Sequence, residues 1–559
     1  MTNKAKYITD LDSEDALNLL LTSTQYHNFE LPEYFDFSKV LEFIKIKIAD
    51  KPYADCINSI GASELDDVNF DILLNKDGKY AVRPLILCNP YLYYFLCREL
   101  CNKNNWKNIQ EHFEKCIVPH ITACAMPIIP NKCEIFHKST EILNWWNSIE
   151  QKSIKLSLKY RYMFVTDITN CYDSVNPQTI DWALSRKNTQ NPIDTNHTIA
   201  QNIIRYICNF QHGKNIGIPQ GSTLFDLIGE IILCYSDLLL HEALVKKGIN
   251  DGYKILRYRD DYKVFCNDKS TLETISYTLQ HILVSLNFRM NSAKTQISDS
   301  IITDSIKPDK LYYIFNTPIL NKKNCDFDGL QKHLLYILMF ARKFPNAGQL
   351  KSMLNAFDKR VEKMLKPKVT RVLSIPFDDK DGEEPTEKEI SFPGRILENI
   401  HAMCAIVTQI AIENLSIVPH AVTVISRMIA SIKNDEAQKE IIDQVYAKLI
   451  NQPNSTYSKL WLQNMTYTYD IANNNTSRYD VRLCKLVMGK CENLWNNSWL
   501  KPELLEGFPQ DSVVNIETLE KVTPIVMFRE KRAYLEMLDE DEDEEDNTEN
   551  AGFTDEDWQ

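Results

Sequence analysis

The spacing of apolar residues changes near residue 328 of the 559-residue chain. Upstream, short apolar runs such as 163–165 and 255–266 predict strands, and the stretch from Thr223 to Val245 predicts a long buried helix. Downstream, apolar residues recur at helical spacing over residues 334–344, 350–364, 396–412, 418–432, 441–450 and 483–495. The pattern predicts an α+β N-terminal part followed by an irregular all-α array that resembles a solenoid.

Three local patterns give further expectations. Residues 80–90 predict a strand that ends at Asn89-Pro90 and leads into a helix through Leu100. Residues 311–317, which are mostly aromatic and aliphatic, predict one more strand. The stretch 374–393, rich in Asp, Glu, Lys and Pro, predicts an exposed loop.

Two of the predicted strands end in carboxylates. Asp167 follows the apolar run 163–165, and Asp260 and Asp261 lie at the tip of a hairpin predicted over 255–266. Adjacent like charges repel each other, so a fold that holds them rigidly needs a counter-charge, most simply a divalent cation. For the Asp-Asp pair alone, an ordinary turn in solvent is the alternative. Three carboxylates that met in space would hold two divalent ions, which suits phosphoryl transfer.

A glycine-rich segment lies between these acidic positions. Residues 213–223 let the backbone approach a ligand closely, and Ser222 stands where it can cap the helix that follows. Asp226 and Glu230 share one face of that helix, and we expect this face to be in solvent. Upstream, Arg83 in an apolar strand is a candidate phosphate ligand, with a structural ion pair as the equal alternative.

The formal net charge of −13 does not exclude a nucleic-acid partner. Residues 536–559 carry 13 acidic side chains and no Lys or Arg, which leaves 63 acidic and 63 basic residues in the rest of the chain. A neutral body still has room for a local basic groove of the kind that binds phosphates. The acidic tail is too charged to fold alone, so we predict that it is disordered.

Cysteine usage and hydropathy indicate the compartment. The 15 cysteines lack CxxC pairs, which favours reduced thiols and argues against a zinc site. No apolar run reaches the roughly 18–20 residues that span a bilayer, and the polar N-terminus resembles no secretory signal. We therefore expect a cytoplasmic protein with no membrane partner.

The ordered motifs resemble those of reverse transcriptases. Asp167 with Tyr172, then Pro219-Gln-Gly-Ser222, then Tyr258-Arg-Asp-Asp261, and finally Lys294 stand in the order of that family's motifs A to D. The extended matches around Asp167, residues 217–230 and residues 257–262 are similar to the bacterial abortive-infection and "unknown group" defence-associated branch. The resemblance covers roughly residues 80–320, and the helical region after residue 328 is similar to the helical-repeat domain of that branch.

The resemblance implies a fold and a division into domains. It implies an α+β right-hand polymerase, with fingers and palm of the reverse-transcriptase fold over residues 1–325, including an N-terminal helical extension. An all-α, HEAT-like domain over residues 326–535 takes the place of a standard thumb. The acidic tail, residues 536–559, follows.

The resemblance also implies a metal site and two catalytic roles. Asp167 and Asp260 would be the main ligands of two Mg²⁺ ions, for which Mn²⁺ is a possible substitute, with Asp261 supporting them. Ile168 would offer its backbone carbonyl to the same ions. Lys294 would protonate or steady the leaving pyrophosphate, with an ordinary solvated lysine as the alternative.

A second set of residues is implied to bind the nucleotide. Tyr172 would occupy the position that discriminates against a 2′-hydroxyl and so favours dNTPs, with a core tyrosine as the alternative. Arg83 would contact the triphosphate, and a contact of Arg259 with primer or template is a further possibility. The remaining nucleotide-binding positions are Ile168, Gln220, Gly221 and Tyr258.

By the same resemblance, the expected function is Mg²⁺-dependent DNA synthesis in bacterial antiphage defence. The favoured hypothesis is template-independent, protein-primed synthesis by a homo-oligomer, with dNTPs as substrates and single-stranded DNA, possibly attached to the protein, as product. One alternative is an RNA-templated enzyme that copies a partner non-coding RNA. Another is a non-catalytic scaffold that binds nucleic acid, although clustered acids without a metal are costly to bury.

Overall fold

The protein was analysed as a computed structural model. It describes residues 6–75, 82–129, 145–185, 195–320, 330–365, 368–374, 386–392, 399–432, 434–490 and 492–522. The predicted disordered tail, residues 536–559, therefore lies outside the described residues. Within the described part, strands are confined to the first two thirds of the chain apart from one hairpin, and the architecture is α+β followed by helices, as predicted.

The elements, in chain order, frame a central sheet. The N-terminal α-helices are α1 Ser13–Leu20, α2 Ser23–Tyr26, α3 Ser38–Ile48, α4 Tyr53–Cys56, α5 Pro90–Leu100 and α6 Lys103–Lys115. The α-helices of the middle region are α7 Lys152–Leu156, α8 Cys171–Ser174, α9 Gln178–Leu184, α10 Thr195–Phe210, α11 Thr223–Lys246, α12 Lys269–Ser285 and α13 Ile301–Ser305. The C-terminal α-helices are α14 Pro308–Leu320, α15 Leu330–Lys343, α16 Gly348–Leu365, α17 Ile400–Glu413, α18 Val418–Ala430, α19 Asp435–Ile450, α20 Thr456–Ala472, α21 Arg482–Val487 and α22 Ile516–Val522.

The strands form a five-stranded sheet and two separate hairpins. The strands are β1 Phe70–Asn75, β2 Val82–Leu87, β3 Ile121–Ala123, β4 Tyr162–Thr166, β5 Tyr253–Tyr258, β6 Asp261–Cys266, β7 Gln296–Ser298, β8 Lys368–Ser374 and β9 Thr386–Phe392. The central sheet has the order β3-β5-β6-β4-β7, in which only the β3–β5 pair is parallel. The predicted acidic hairpin is the β5–β6 pair, at the middle of this sheet.

The two faces of the central sheet differ because alternate side chains of a strand point in opposite directions. On one face, residues such as Ile255 and Val264 belong to the main hydrophobic core, beneath α11 and α12. On the other face, Met163, Leu256 and Phe265 form a second, small apolar cluster. The second face is therefore apolar at one end of the strands only, which leaves the other end for polar side chains.

Helix α11 supplies much of the main core. Most of its residues are buried around its whole circumference, because α2, α6, α9 and α12 all contact it. A helix that is buried on every side is expected to be apolar all round. The exceptions, Asp226, Glu230 and Asp237, are nevertheless buried.

The C-terminal helices pack on one another and return to the N-terminal part. Helices α15 to α20 contact one another both as chain neighbours and two helices apart, as in the pairs α15–α17 and α16–α18, and α20 also contacts β1. The end of the described chain pairs with the beginning, through isolated bridges of Phe35 with Val514 and of Ile57 with Leu500. The indole of Trp495 donates to the carbonyl of Leu87 at 3.1 Å. The C-terminal region thus contacts the N-terminal part of the chain at several points.

Some local predictions were wrong. Residues 311–317 lie in helix α14 rather than in a strand, since Pro308 begins a helix and Tyr312 packs on Phe340 of α15 and on Phe344, which follows it. The stretch predicted to be a loop over 374–393 includes strand β9, which pairs with β8. The last predicted helix is shorter than expected, because Gly489 at φ 72° follows its C-terminal turn.

Among the described residues, no helix combines the length and the hydropathy that crossing a membrane requires.

Candidate active site

Strand register brings two of the predicted carboxylates together. Thr166 on β4 is opposite Tyr262 on β6, so one further step along the register places Asp167 opposite Asp261. Asp261 is in turn paired with Tyr258 on β5. Side chains opposite each other in adjacent strands share a face, with Cβ atoms about 4.5–5.5 Å apart. Tyr258, Asp261 and Asp167 thus form a row at the polar end of the second face.

Lys294 completes this row on the other side of Asp167. Val165 is opposite Gln296 on β7, and Lys294 lies in the turn just before that strand. The Lys294 ammonium donates to Asp167 Oδ2 at 2.7 Å. This hydrogen bond raises the pKa of Lys294, so the side chain is charged at neutral pH, although 64% of it is exposed. Lys294 is therefore a counter-charge to the carboxylate rather than an isolated solvated lysine.

A backbone hydrogen bond attaches Asp260 to the same place. The amide of Ile168 donates to the carbonyl of Asp260 at 3.1 Å, which joins the end of β4 to the hairpin tip. On its other side, Ile168 forms an isolated antiparallel bridge with Met290. The hairpin turn consists of Arg259 and Asp260, and Arg259 has a φ of 51°, in the left-handed region. Asp167, Asp260 and Asp261 thus lie together, as the sequence predicted.

The electrostatics of the carboxylates favour a cation. Burial, followed by the Coulomb effect of Asp167, raises the pKa of Asp260. Burial and the neighbouring Asp260 and Asp167 raise the pKa of Asp261 to about 6, although Asp261 is an exposed residue. Asp167 is 7% exposed, and its Oδ1 has no hydrogen-bond partner among the described residues. Like charges with an unsatisfied oxygen are what a bound divalent cation relieves.

These residues fit a magnesium-type ion by their chemistry, since Mg²⁺ prefers carboxylate oxygens. They are not arranged as a finished metal cage. In the part of the chain that the structure describes, no three His, Cys, Asp or Glu side chains meet as closely as a preformed metal site requires. The metal-binding roles of Asp167, Ile168, Asp260 and Asp261 therefore stay predictions.

A buried ionic network supports the hairpin from the helical face. Arg257 is 0% exposed and lies on β5, with its side chain directed to α11. Its guanidinium donates to Glu230 through two nitrogens at 3.0 Å each, and to Asp237 Oδ2 at 2.8 Å. It also donates to the carbonyl of Arg259 at 3.2 Å, which holds the hairpin turn. The expectation that the helix face of Glu230 is in solvent is thus wrong.

Asp226, on the same helix face, is also buried and connects three elements. Its Oδ1 accepts the hydroxyl of Tyr172 at 2.5 Å, and its Oδ2 accepts Arg259 at 2.9 Å and the amide of Asn28 at 2.8 Å. Tyr172 lies on α8 beside the start of α11, where its hydroxyl end is near Gly229. Burial and Asp226 raise the pKa of Tyr172 well above its ordinary value, so it stays a hydroxyl donor.

The Pro-Gln-Gly-Ser segment packs against the β1–β2 hairpin. The carbonyl of Gln220 accepts the amide of Ile86 at 2.8 Å, and the carbonyl of Gly221 accepts the amide of Asn28 at 2.9 Å. Gly221 has a φ of 128°, and a Cβ there would lie 3.0 Å from the Ile86 carbonyl and from the Phe29 ring. Ser222 occupies the N-cap position of α11, but its side chain makes no capping hydrogen bond.

Gly221→Ala is expected to destabilise the protein and slow nucleotide incorporation. The added Cβ meets backbone on one side and an aromatic ring on the other, and the φ is one that side chains rarely adopt. We expect a loss of about 2–4 kcal/mol in the free energy of unfolding, from strain and overpacking together. Chemical denaturation of purified protein measures this loss.

Gly252→Ala is the matched control. Gly252 precedes β5 at a φ of 79°, but no atom lies within 4 Å of its Cβ position. Its substitution should cost only the conformational part, about 1 kcal/mol. Equal losses for the two variants would mean that the contacts of Gly221 with Ile86 and Phe29 are unimportant.

The other predicted nucleotide-binding residues lie less centrally. Arg83 is exposed on β2, opposite Leu74, and Ile86 of the same strand donates its amide to the Gln220 carbonyl. Tyr258 is half-buried beside the small apolar cluster. The sequence analysis missed Asn28 and the role of Arg257. The available signal was the pair Asp226 and Glu230, two acids among the apolar residues of the first turns of α11.

Carboxylates gathered at a sheet end, where they can hold divalent ions, are typical of enzymes that transfer phosphoryl or nucleotidyl groups. Residues 98–331 match the family model described as reverse transcriptase (RNA-dependent DNA polymerase). The chain therefore contains a reverse transcriptase domain over these residues, a domain type found in nucleotidyltransferases of the DNA polymerase class. The predicted fold, a reverse-transcriptase domain followed by a helical domain, is confirmed.

The solved structures to which the chain is similar include telomerases. Apo telomerase from Candida tropicalis, truncated from its C-terminal domain, is 16% identical with a TM-score of 0.28, and the match covers 47% of this chain and 56% of that one. Telomerase from Candida albicans, in complex with a fragment of telomeric RNA, is 10% identical with a TM-score of 0.30, covering 74% and 68%. Apo telomerase from Candida tropicalis is 12% identical with a TM-score of 0.31, covering 74% of each chain. TM-scores this low support no conclusion about this protein. No curated protein matches the chain.

Proposed function

We propose that the protein synthesises DNA from dNTPs in bacterial antiphage defence, without a template and from a hydroxyl group of the protein itself. The observation that carries the polymerase part is the row Asp261–Asp167–Lys294 with Asp260 attached to it by the Ile168 amide. The untemplated, protein-primed and defensive parts rest on the resemblance of the motifs to the abortive-infection branch. The domain boundaries at residues 325 and 535 are part of the same proposal.

The proposed reaction is a nucleotidyl transfer. A hydroxyl oxygen, from a tyrosine at initiation and from a DNA 3′ end afterwards, bonds to the α-phosphorus of a dNTP. The bond from that phosphorus to the oxygen bridging to the β-phosphate breaks, pyrophosphate leaves and the hydroxyl proton passes to solvent. In this proposal Lys294, which donates to Asp167, steadies or protonates the departing pyrophosphate.

Two Mg²⁺ ions, for which Mn²⁺ is a substitute, would be held by Asp167, Asp260 and Asp261 with the carbonyl of Ile168. When bound, such ions stabilise the charge on the attacking and leaving oxygens. In the same proposal Gln220, Gly221, Tyr258 and Arg83 contact the nucleotide. Tyr172 faces its sugar, where the ring crowds a 2′-hydroxyl and so favours dNTPs.

Incubation of the purified protein with Mg²⁺ and each α-labelled dNTP, without template or primer, tests the proposal. We expect label that stays with the protein through denaturation and phenol extraction, and that is released by nuclease as DNA. Extension of annealed primer-templates alone, with no labelled protein, would contradict untemplated and protein-primed synthesis. Mapping of the attached tyrosine by mass spectrometry would follow a positive result.

RNA-templated synthesis is the second candidate, because the matching family model describes RNA-dependent polymerases. It predicts a defined partner RNA that copurifies with the protein and a product complementary to it. Sequencing of copurified nucleic acid and of the products separates the two candidates. A product with no complement in the copurified RNA favours the first.

The defence role and the state of assembly need their own measurements. We expect cells that express the protein to survive phage challenge better, and the double variant Asp260→Ala, Asp261→Ala to lose that protection. Unchanged protection would favour a non-catalytic scaffold. Light scattering tests the proposed homo-oligomer, and fractionation of the host cells tests the cytoplasmic location.

A further inference from the structure

A segment of the N-terminal part contacts the Pro-Gln-Gly-Ser segment, which is proposed to bind the nucleotide. Residues 27–36, here termed the N-terminal strap, connect α2 to α3. The backbone amide of Asn28 donates to the Gly221 carbonyl at 2.9 Å, and its side-chain amide donates to Asp226 Oδ2 at 2.8 Å. The ring of Phe29 lies against Gly221. The strap thus contacts both Gly221 and the carboxylate of Asp226, which accepts the hydroxyl of Tyr172.

Asp226 is the point where these interactions converge. Its two oxygens accept hydrogen bonds from Tyr172, Asn28 and Arg259, which come from a short helix, the strap and the hairpin turn. Asp226 is only 7% exposed, so these charge-assisted hydrogen bonds compete little with water. The position of the Tyr172 ring therefore depends on the position of the Asp226 carboxylate, and this depends on Asn28.

The C-terminal helical region holds the other end of the strap. Lys351 of α16 donates to both carboxylate oxygens of Glu30, at 3.0 and 3.2 Å. Farther along, the amide of Asp36 donates to the Val513 carbonyl at 2.9 Å, and the amide of Asn515 donates to the Tyr34 carbonyl at 2.7 Å. A short, continuous chain segment thus links helix α16 to the residue that orients Tyr172.

We propose that Asn28 and Asp226 are positioning residues that set the selectivity for dNTPs over rNTPs, and that the Glu30–Lys351 pair lets the C-terminal region contribute to it. The inference rests on the proposed function, in which Tyr172 faces the nucleotide sugar. Rejection of a hydroxyl by crowding depends on where the ring stands. A ring whose hydroxyl has lost a firm acceptor moves away from a 2′-hydroxyl at little cost, and rNTPs then enter more readily.

The test compares kcat/KM for dATP and ATP in Asn28→Ala, Asp226→Asn and the wild type. One lost hydrogen bond corresponds to about a threefold to tenfold change, so we expect selectivity to fall by that factor in Asn28→Ala. Asp226→Asn weakens all three hydrogen bonds and should lower selectivity further. In both variants the lower selectivity should come from a lower KM for ATP. A general loss of fold would instead lower kcat/KM for dATP and for ATP together.

Two further variants separate positioning from mere structural support. Asn58→Ala is the matched control, because Asn58 also ties the N-terminal region to C-terminal carbonyls, those of Ser498 and Leu500, but contacts none of the candidate site residues. It should leave selectivity within twofold of the wild type. Lys351→Glu should lower selectivity in the same direction as Asn28→Ala, and the charge-swapped pair Glu30→Lys with Lys351→Glu should restore it.

Binding gives a readout that needs no turnover. Calorimetric titration of the full-length protein with dATP and with ATP, both in Ca²⁺, measures the ratio of the two dissociation constants. Incorporation by the wild type with unchanged selectivity in Asn28→Ala and Asp226→Asn would overturn the inference and leave the proposed function intact. If the wild type incorporates no nucleotide, the proposed function fails, and the binding ratio alone decides: a ratio that narrows in the variants supports positioning, and an unchanged ratio refutes it.

Discussion

Asp167→Asn is expected to lower the rate of dNTP incorporation by about a thousandfold, which corresponds to about 4 kcal/mol of transition-state stabilisation. Asparagine keeps the shape of the side chain but removes the charge that faces Lys294 at 2.7 Å and the buried oxygen that lacks a partner. A neutral amide binds a divalent cation far more weakly than a carboxylate does. Single-turnover incorporation of a labelled dNTP in Mg²⁺ measures the effect.

The control for this variant is Asp268→Asn. Asp268 follows β6 at the opposite end from the acidic tip and caps α12 by accepting the Thr271 amide at 2.7 Å. Asparagine caps a helix about as well as aspartate does, so its rate should stay within about twofold of the wild type. A rate above a tenth of the wild-type value for Asp167→Asn would remove this carboxylate from the proposed chemistry.

Arg257→Ala is expected to lower the free energy of unfolding by about 3–5 kcal/mol. The substitution leaves the carboxylates of Glu230 and Asp237 buried with no cation between them. Burial already raises the pKa of Asp237 to about 6 with Arg257 present, so loss of the guanidinium should drive a carboxyl there to bind a proton. Equilibrium denaturation by urea at neutral pH measures the loss.

The matching surface variant is Arg342→Ala. Arg342 also forms a two-pronged pair, with Glu413, but 51% of its side chain is exposed. An exposed pair contributes at most about 1 kcal/mol, since water competes for both charges. Similar losses for Arg257→Ala and Arg342→Ala would mean that the buried network does not hold the hairpin. Activity should also fall in Arg257→Ala alone, because its guanidinium supports the carbonyl of Arg259 in the turn.

Much of the row formed by Tyr258, Asp261, Asp167 and Lys294 could be predicted from the sequence. The strand and the hairpin that carry most of these residues are determined by residues close together in the chain. Apolar runs predicted β4 and the β5–β6 hairpin. The carboxylate of Asp167 follows β4, and those of Asp260 and Asp261 lie at the tip of the hairpin. Motif order added Tyr172, Gln220 and Gly221. The short strands β3 and β7, of three residues each, were not predicted, since so few residues show no periodicity.

Other features depended on packing partners that are distant in the chain. The aromatic run in α14 has high strand propensity, yet Tyr312 lies against α15, where a helix buries it better. Asp226 and Glu230 were expected in solvent because a surface helix normally carries acids on its open face. Helix α11 has no such face there, since α2, α6, α9 and α12 surround it, and ion pairs with Arg259 and Arg257 balance the two acids.

The sequence by itself identified the candidate residues for the proposed chemistry, namely the carboxylates, the glycine-rich segment and Tyr172, since strand ends and turn glycines are set by neighbours in the chain. Only the tertiary structure decided which residues hold them in place. Arg257 and Asn28 contact the acids of α11 across 27 and 198 residues of sequence, respectively. The physical reason is that a buried charge requires a partner in space, and nothing in local spacing says which distant side chain the fold will bring to it.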